Sequence, residues 1–161
     1  MRTAVLTVSN DVVHRRRDDE AGPLLAELAE ATGLDVDTME VVPADFDLIE
    51  DRLLTYVDES FALVLTAGGC GLEPEDIVPE ATLSVIDREV PGLAEAMRAE
   101  AMRHAPTGAL TRGVSGAAGG TLIINLPGTA SAVRELYPVL GPALIPAVTS
   151  MRRARGLEPG R

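Results

Sequence analysis

The stretch Phe61-Ala62-Leu63-Val64-Leu65-Thr66-Ala67-Gly68-Gly69-Cys70-Gly71 decides the fold. A nearly continuous apolar run with β-branched members reads as a strand covered on both faces, which is the habit of parallel sheets. It runs directly into glycines at 68, 69 and 71. In open parallel sheets ligands bind outside the carboxyl ends of the strands, where the loops gather. Glycines there leave no Cβ in the way, so successive backbone N–H groups can converge on an anion. A tight turn with no ligand would use the same residues, and the spacing alone leaves both readings open.

Outward from this stretch, strand and helix patterns alternate. Ala4 to Val8 is a second apolar run and ends at Ser9-Asn10-Asp11. The polar segment from Asn10 to Ala21 reads as an exposed loop. Gly22-Pro23 opens a helix, with Pro suited to the first turn, and Gly33 stops it. Val36 to Val42 reads as a strand leading into Pro43-Ala44-Asp45. Between Asp47 and Glu59, Ile49, Leu53 and Val57 recur every four residues, the pattern of an amphipathic helix. Pro79 to Asp87 and Leu93 to His104 read as helices divided by Pro91-Gly92. Leu110 to Val114 and Thr121 to Leu126 read as an antiparallel edge pair joined through Gly116 to Gly120. A helix then starts near Ala132 after the Pro127-Gly128 turn, and a last helical stretch reaches about Met151. The order predicts a three-layer α/β/α sandwich with a mostly parallel sheet and a short antiparallel edge pair. One domain is expected over residues 1–151, followed by a flexible basic tail over 152–161.

Composition narrows the chemistry. The chain has 161 residues, enough for a core without staples. Cys70 is its only cysteine, so no intramolecular disulfide forms and a reducing, cytoplasmic setting is expected. No run approaches the roughly 18 apolar residues of a membrane span. A formal net charge of −11 repels nucleic acid and anionic membranes, which call for basic patches. All 14 basic residues are arginine, which removes Schiff-base chemistry and the P-loop lysine. An anion bound by such a chain needs local compensation, for which backbone amides, Arg112 and a divalent cation are the candidates. Asp76 and Glu80, four apart near the helix that opens at Pro79, are expected to face the glycine turn, and carboxylates of this kind suit Mg²⁺ bridged to a phosphate. Cys70 reads more simply as a small side chain that fits than as a reactive thiol.

Beyond these readings, the ordered motifs resemble a known family. Val64-Leu65-Thr66-Ala67-Gly68-Gly69-Cys70-Gly71, followed by Pro74-Glu75-Asp76-Ile77-Val78-Pro79-Glu80-Ala81-Thr82, is similar to the MogA/MoaB signature T-T-G-G-T-G…R-D-V-T-P-E-A-T. Asp19-Glu20-Ala21-Gly22-Pro23, Pro91 to Arg98, Leu110 to Gly113 and Leu122 to Gly128 follow in the family's order, so the likeness covers nearly the whole chain. The resemblance implies Mg-ATP-dependent adenylylation of molybdopterin in molybdenum cofactor biosynthesis, by a homotrimer or homohexamer. It implies Asp76 and Asp45 as catalytic and Mg²⁺-holding groups. The substrate-binding set it implies is Ser9, Asn10, Thr66, Gly68, Gly69, Cys70, Gly71, Glu80, Arg112, Ser115, Asn125, Pro127 and Gly128. The chain departs from the family pattern at several places. Asn10 and Ala44 replace Asp, with Asp45 one position late; Cys70 replaces Thr, Glu75 replaces Arg, and Ala130-Ser131 replaces Pro-Lys. Two lost carboxylates and two lost cations are expected to weaken metal and phosphate binding, and a catalytically impaired molybdopterin-binding or scaffold protein is the alternative expectation.

Overall fold

A computed structural model describes residues 1–157. Its elements in chain order are β1 (Arg2–Val8), α1 (Asn10–Val13), α2 (Ala21–Ala31), β2 (Asp35–Val42), α3 (Phe46–Asp58), β3 (Leu63–Ala67), α4 (Val78–Val85), β4 (Arg88–Glu89), α5 (Pro91–His104), β5 (Ser115–Ala118), β6 (Thr121–Leu126) and α6 (Ala130–Ala154). The six strands form one sheet in the order β2-β1-β3-β6-β5-β4. The first four run parallel, and β5 and β4 are antiparallel additions at one edge.

Strand periodicity sorts the side chains onto two faces. Val5, Leu63, Leu65, Leu122, Ile124 and Leu126 pack under α2, α5 and α6. Ala4, Leu6, Val8, Val64 and Ile123 pack under α3 and α4. Both faces are covered, which is why the central strands lack polar alternation and read as apolar runs. Burial of each large aliphatic here contributes about 1.5 to 3 kcal/mol, so β1, β3 and β6 hold the sandwich together.

The three-layer architecture follows the sequence reading, and several local expectations are corrected. The segment after β1 is not loop throughout: α1 forms at Asn10–Val13, capped by Ser9, whose Oγ accepts from Val12 N at 3.3 Å. Leu110 to Val114 is not a strand. A 3-10 turn spans Pro106–Leu110, and pairing begins only at Ser115, where β5 meets β6. The hairpin turns on Gly119 at φ +58° and Gly120. β6 is itself interior, paired in parallel with β3 on its other side, and the short edge strand β4 had no periodic signal in two residues.

α6 is continuous over 25 residues although Pro138, Pro142 and Pro146 interrupt it. Each proline removes a helical N–H. All three lie on the exposed face, where water can serve the freed carbonyls, and the opposite stripe of Val133, Leu136, Tyr137, Leu140, Leu144 and Val148 is buried. Packing therefore overrides propensity. The helix also takes in Arg152 to Ala154, and Arg152 and Arg155 reach the Ser60 carbonyl and Asp87, so the expected basic tail begins in ordered structure. The rest of that tail, 158–161, lies outside the described residues.

Candidate phosphate site at the carboxyl ends of the strands

Chain order reverses between β1 and β3: β2 lies on one side of β1, and β3 and β6 lie on the other. A crevice opens at such a switch point. There the structure holds a cavity of about 710 Å³, lined by the ends of β1, β3 and β6 and walled by α5, the 3-10 turn and α6.

Its floor is made of backbone. Gly68, at φ +101°, carries β3 past β1 and β6; a Cβ on it would strike the Val8 carbonyl oxygen, and a Cβ on Gly128 would stand 2.8 Å from the Gly68 Cα. Gly69 is left-handed too, at φ +66°. The Gly68 N–H is used on Leu126 O at 2.9 Å, while the N–H groups of Gly69, Cys70 and Gly71 take no acceptor among the described residues. Free amides beside an open cavity are the arrangement that the anion-binding reading of these glycines calls for. Ser9, Asn10, Gly68, Gly69, Cys70, Gly71, Asp76, Pro127 and Gly128 all line this cavity.

The remaining expected site residues do other work. Thr66 and Asn125 lie one layer down: the fully buried Asn125 donates to Thr66 Oγ1 at 3.1 Å and Thr82 Oγ1 at 2.9 Å, and accepts from Val114 N at 3.2 Å. This amide ties β6, β3, α4 and the irregular segment leading to β5. Ser115 donates to Val90 O at 2.6 Å and accepts from Ala94 N. Asp45 is the N-cap of α3, its Oδ1 accepting from Leu48 N at 3.0 Å, and it does not line the cavity.

Arg112 and Glu80 are corrected together. Arg112 does not face the cradle; its guanidinium donates to Gly71 O, Asp76 O and the Glu80 carboxylate, and its own N–H bonds Cys70 O at 2.8 Å. It is a clip on the back of the loop over 70–76. The hydrogen bond from Arg112 holds the Glu80 carboxyl below its ordinary range. Glu80 is spent on that pair and does not reach the cavity.

Cys70 lines the cavity but is buried, its thiol directed at Gly68 O at 3.3 Å and Leu126 O at 3.6 Å. Burial first, then the Asp76 charge, pushes the thiol up to about 12. It fills space, and its burial disfavours the thiolate form that a nucleophile needs.

Asp76 keeps its place: it lines the cavity, its Oδ2 accepts from Glu73 N at 2.9 Å, and a Cβ on Gly71 would stand 2.6 Å from that oxygen. Among the described residues no group of three or more His, Cys, Asp or Glu is arranged to hold a metal. Mg²⁺ held here would be shared between Asp76 and substrate phosphates, not caged by protein alone.

Three of the departures from the family pattern touch. Asn10 donates to Glu75 Oε2 at 3.0 Å and its Oδ1 accepts from Ala44 N at 2.9 Å. An amide facing a carboxylate stands where the family pattern has Asp at 10 and Arg at 75.

Sequence reasoning missed the wall made by Ala101, His104, Thr107, Leu110, Glu135 and Leu136, and it missed Leu72 and Arg17. An alanine-rich helix end and a 3-10 turn carry no motif, so no local signal pointed to them.

Free backbone amides at the switch point of a doubly wound sheet, with the Asp76 carboxylate lining the same cavity, give this α/β domain a candidate anion site. Comparison with known proteins makes this specific. Residues 4–146 match the family described as "Probable molybdopterin binding domain", and the chain belongs to that family. It is 36% identical over 144 residues to the "Molybdenum cofactor synthesis protein cinnamon" of Drosophila melanogaster, covering 88% of this chain and 24% of that one. To a "Molybdopterin adenylyltransferase" of Helicobacter pylori it is 41% identical over 106 residues, covering 65% of this chain and 60% of that one. The chain thus spans less than two thirds of either relative. The crystal structure of the "Molybdopterin biosynthesis enzyme MoaB" from Thermus thermophilus superimposes with a TM-score of 0.88 at 40% identity, covering 93% of this chain and 95% of that one. No helix of the described residues is long and apolar enough to cross a membrane.

Proposed function

We propose that this chain is a molybdopterin adenylyltransferase acting in molybdenum cofactor biosynthesis. The observation that carries this reading is the cradle of free N–H groups at Gly69, Cys70 and Gly71, open to a cavity large enough for joined pterin and nucleotide substrates. The curated relative of that activity and the membership of the family support it.

In the reaction a phosphate oxygen of molybdopterin attacks the α-phosphorus of ATP. A new P–O bond forms, the α–β anhydride bond breaks and pyrophosphate leaves. Alignment and charge neutralisation suffice, with no covalent protein intermediate. The cradle amides hold phosphate oxygens, Asn10 and Ser9 border them, and Pro127-Gly128 shapes the floor. Mg²⁺ supplies charge neutralisation when bound, and Asp76 is the residue that would hold it. Asp45, tied to Leu48 N, is left out of this scheme. The contact of Asn10 with Glu75 accommodates the two replacements in the fold, and the curated relative of this activity favours the active reading over an impaired one. Assembly into a homotrimer or homohexamer and residence in the cytoplasm belong to the same reading.

The test is pyrophosphate release from Mg-ATP with molybdopterin present. Turnover that depends on molybdopterin and falls when Asp76 is changed to Asn supports the reading. Binding of molybdopterin with no pyrophosphate release overturns it.

A further inference from the structure

The cavity has a charge problem that the cradle alone does not solve. Asp11, Glu75, Asp76 and Glu135 line it, in a chain of net charge −11, while its substrates are phosphates. Arg112, the compensating cation expected from sequence, is bound to the back of the loop. His104 lines the far wall with Glu100 Oε1 at 3.1 Å from its Nε2. Arg17 is the one arginine among the described residues that lines the cavity, and among them it makes no salt bridge; its neighbour Arg16 is paired with Asp11 at 3.0 Å.

Arg17 is also positioned. Its Nη2 donates to Ser9 Oγ at 3.2 Å, at the rim of the cradle. The loop that carries it is pinned on the far side by Asp19, which accepts from Thr7 Oγ1 at 2.7 Å and from Gly22 N at 2.9 Å. A guanidinium held by a single neutral hydroxyl keeps most of its five donors free, and a phosphate accepts two of them in parallel.

We propose that Arg17 is the phosphate-gripping side chain of this site, donating to the anionic group seated at the glycine turn. The inference rests on the adenylyltransferase reading and adds to it the cation that this lysine-free chain uses. The group recognised is a phosphate, which belongs either to molybdopterin or to the nucleotide.

The experiment titrates Mg-ATP and molybdopterin separately into the unaltered protein and into Arg17→Ala, Arg17→Lys and Arg15→Gln. Arg15→Gln removes the same charge from the same loop at a position that does not line the cavity. Arg17→Ala is expected to weaken one of the two ligands on the order of tenfold to a hundredfold, the worth of a charge-assisted hydrogen bond. Arg17→Lys recovers part of the loss, because the charge returns without the fork, and Arg15→Gln stays within about twofold of the unaltered protein. The arm that responds tells whose phosphate Arg17 meets. Equal affinity of Arg17→Ala and the unaltered protein for both ligands overturns the inference and leaves the adenylyltransferase reading standing, and so does an equal loss in Arg15→Gln. An unaltered protein that binds neither ligand overturns both.

Discussion

Two adjoining layers at the carboxyl ends of the strands use polar groups in opposite ways. In the floor of the cavity, Gly68 and Gly128 cross with no side chain between them, and the N–H groups at 69 to 71 are left without acceptors. In the layer beneath, Asn125, Thr66 and Thr82 are buried and mutually bonded, and among the described residues no buried side-chain nitrogen or oxygen lacks a partner. Unsatisfied donors facing open space are available to a ligand; satisfied ones under a sheet are structure. The difference teaches that a polar residue next to a site is not thereby part of it. The floor depends on backbone that only glycine adopts readily, and the support on ordinary hydrogen bonds.

The comparison breaks most completely at Gly68. Gly68→Ala puts a Cβ against the Val8 carbonyl at a positive φ. We expect a loss of about 2 to 4 kcal/mol of stability. Substrate affinity should drop by about a hundredfold as the floor shifts. Denaturant titration and ligand titration of the same variant check both. Next is Asn125→Leu, which strands two threonine hydroxyls and the Val114 N–H. It should cost about 2 to 4 kcal/mol with KM changed little. A variant that folds normally but loses substrate binding would move Asn125 into the site.

Smaller effects sharpen the boundary. Asp45→Ala removes an N-cap and should lower stability by about 1 kcal/mol without altering the Mg²⁺ dependence of activity. A collapse of that dependence would return Asp45 to the metal. Asn10→Asp sets a carboxylate against Glu75. Because both groups are near the surface, the cost is about 1 kcal/mol or less. Adding Glu75→Arg should recover it, and a double-variant cycle measures the coupling. Least visible is Cys70, which should resist iodoacetamide at pH 8 in the folded protein, since its buried thiol ionises only near 12. Rapid labelling would mean that the turn opens.

Much of this was legible beforehand because it is local. Leu63 to Ala67 is almost wholly apolar because both sheet faces are covered, and glycines at 68 and 69 answer to positive φ angles set within one short segment. Asp76, close in sequence to the turn, lines the same cavity for the same reason. Arg112 was misread because a guanidinium's partners are chosen across 41 residues of chain, by the carbonyl of Gly71 and the carboxylate of Glu80. Leu110 to Val114 looked like a strand because its residues suit one, yet Arg98 donates to the carbonyls of Thr111 and Gly113 and holds the segment in an irregular path.

Periodicity and glycine placement are properties of consecutive residues, so the amino-acid order alone determined the α/β class, the central strands and the glycine turn that follows β3. Charge and hydrogen-bond partners are allotted in three dimensions, where each donor takes the nearest acceptor that folding presents. Only the tertiary structure therefore decided that Asp45 caps a helix, that Asn125 props the sheet from below and that Arg112 backs the loop while Arg17 is left to face the cavity.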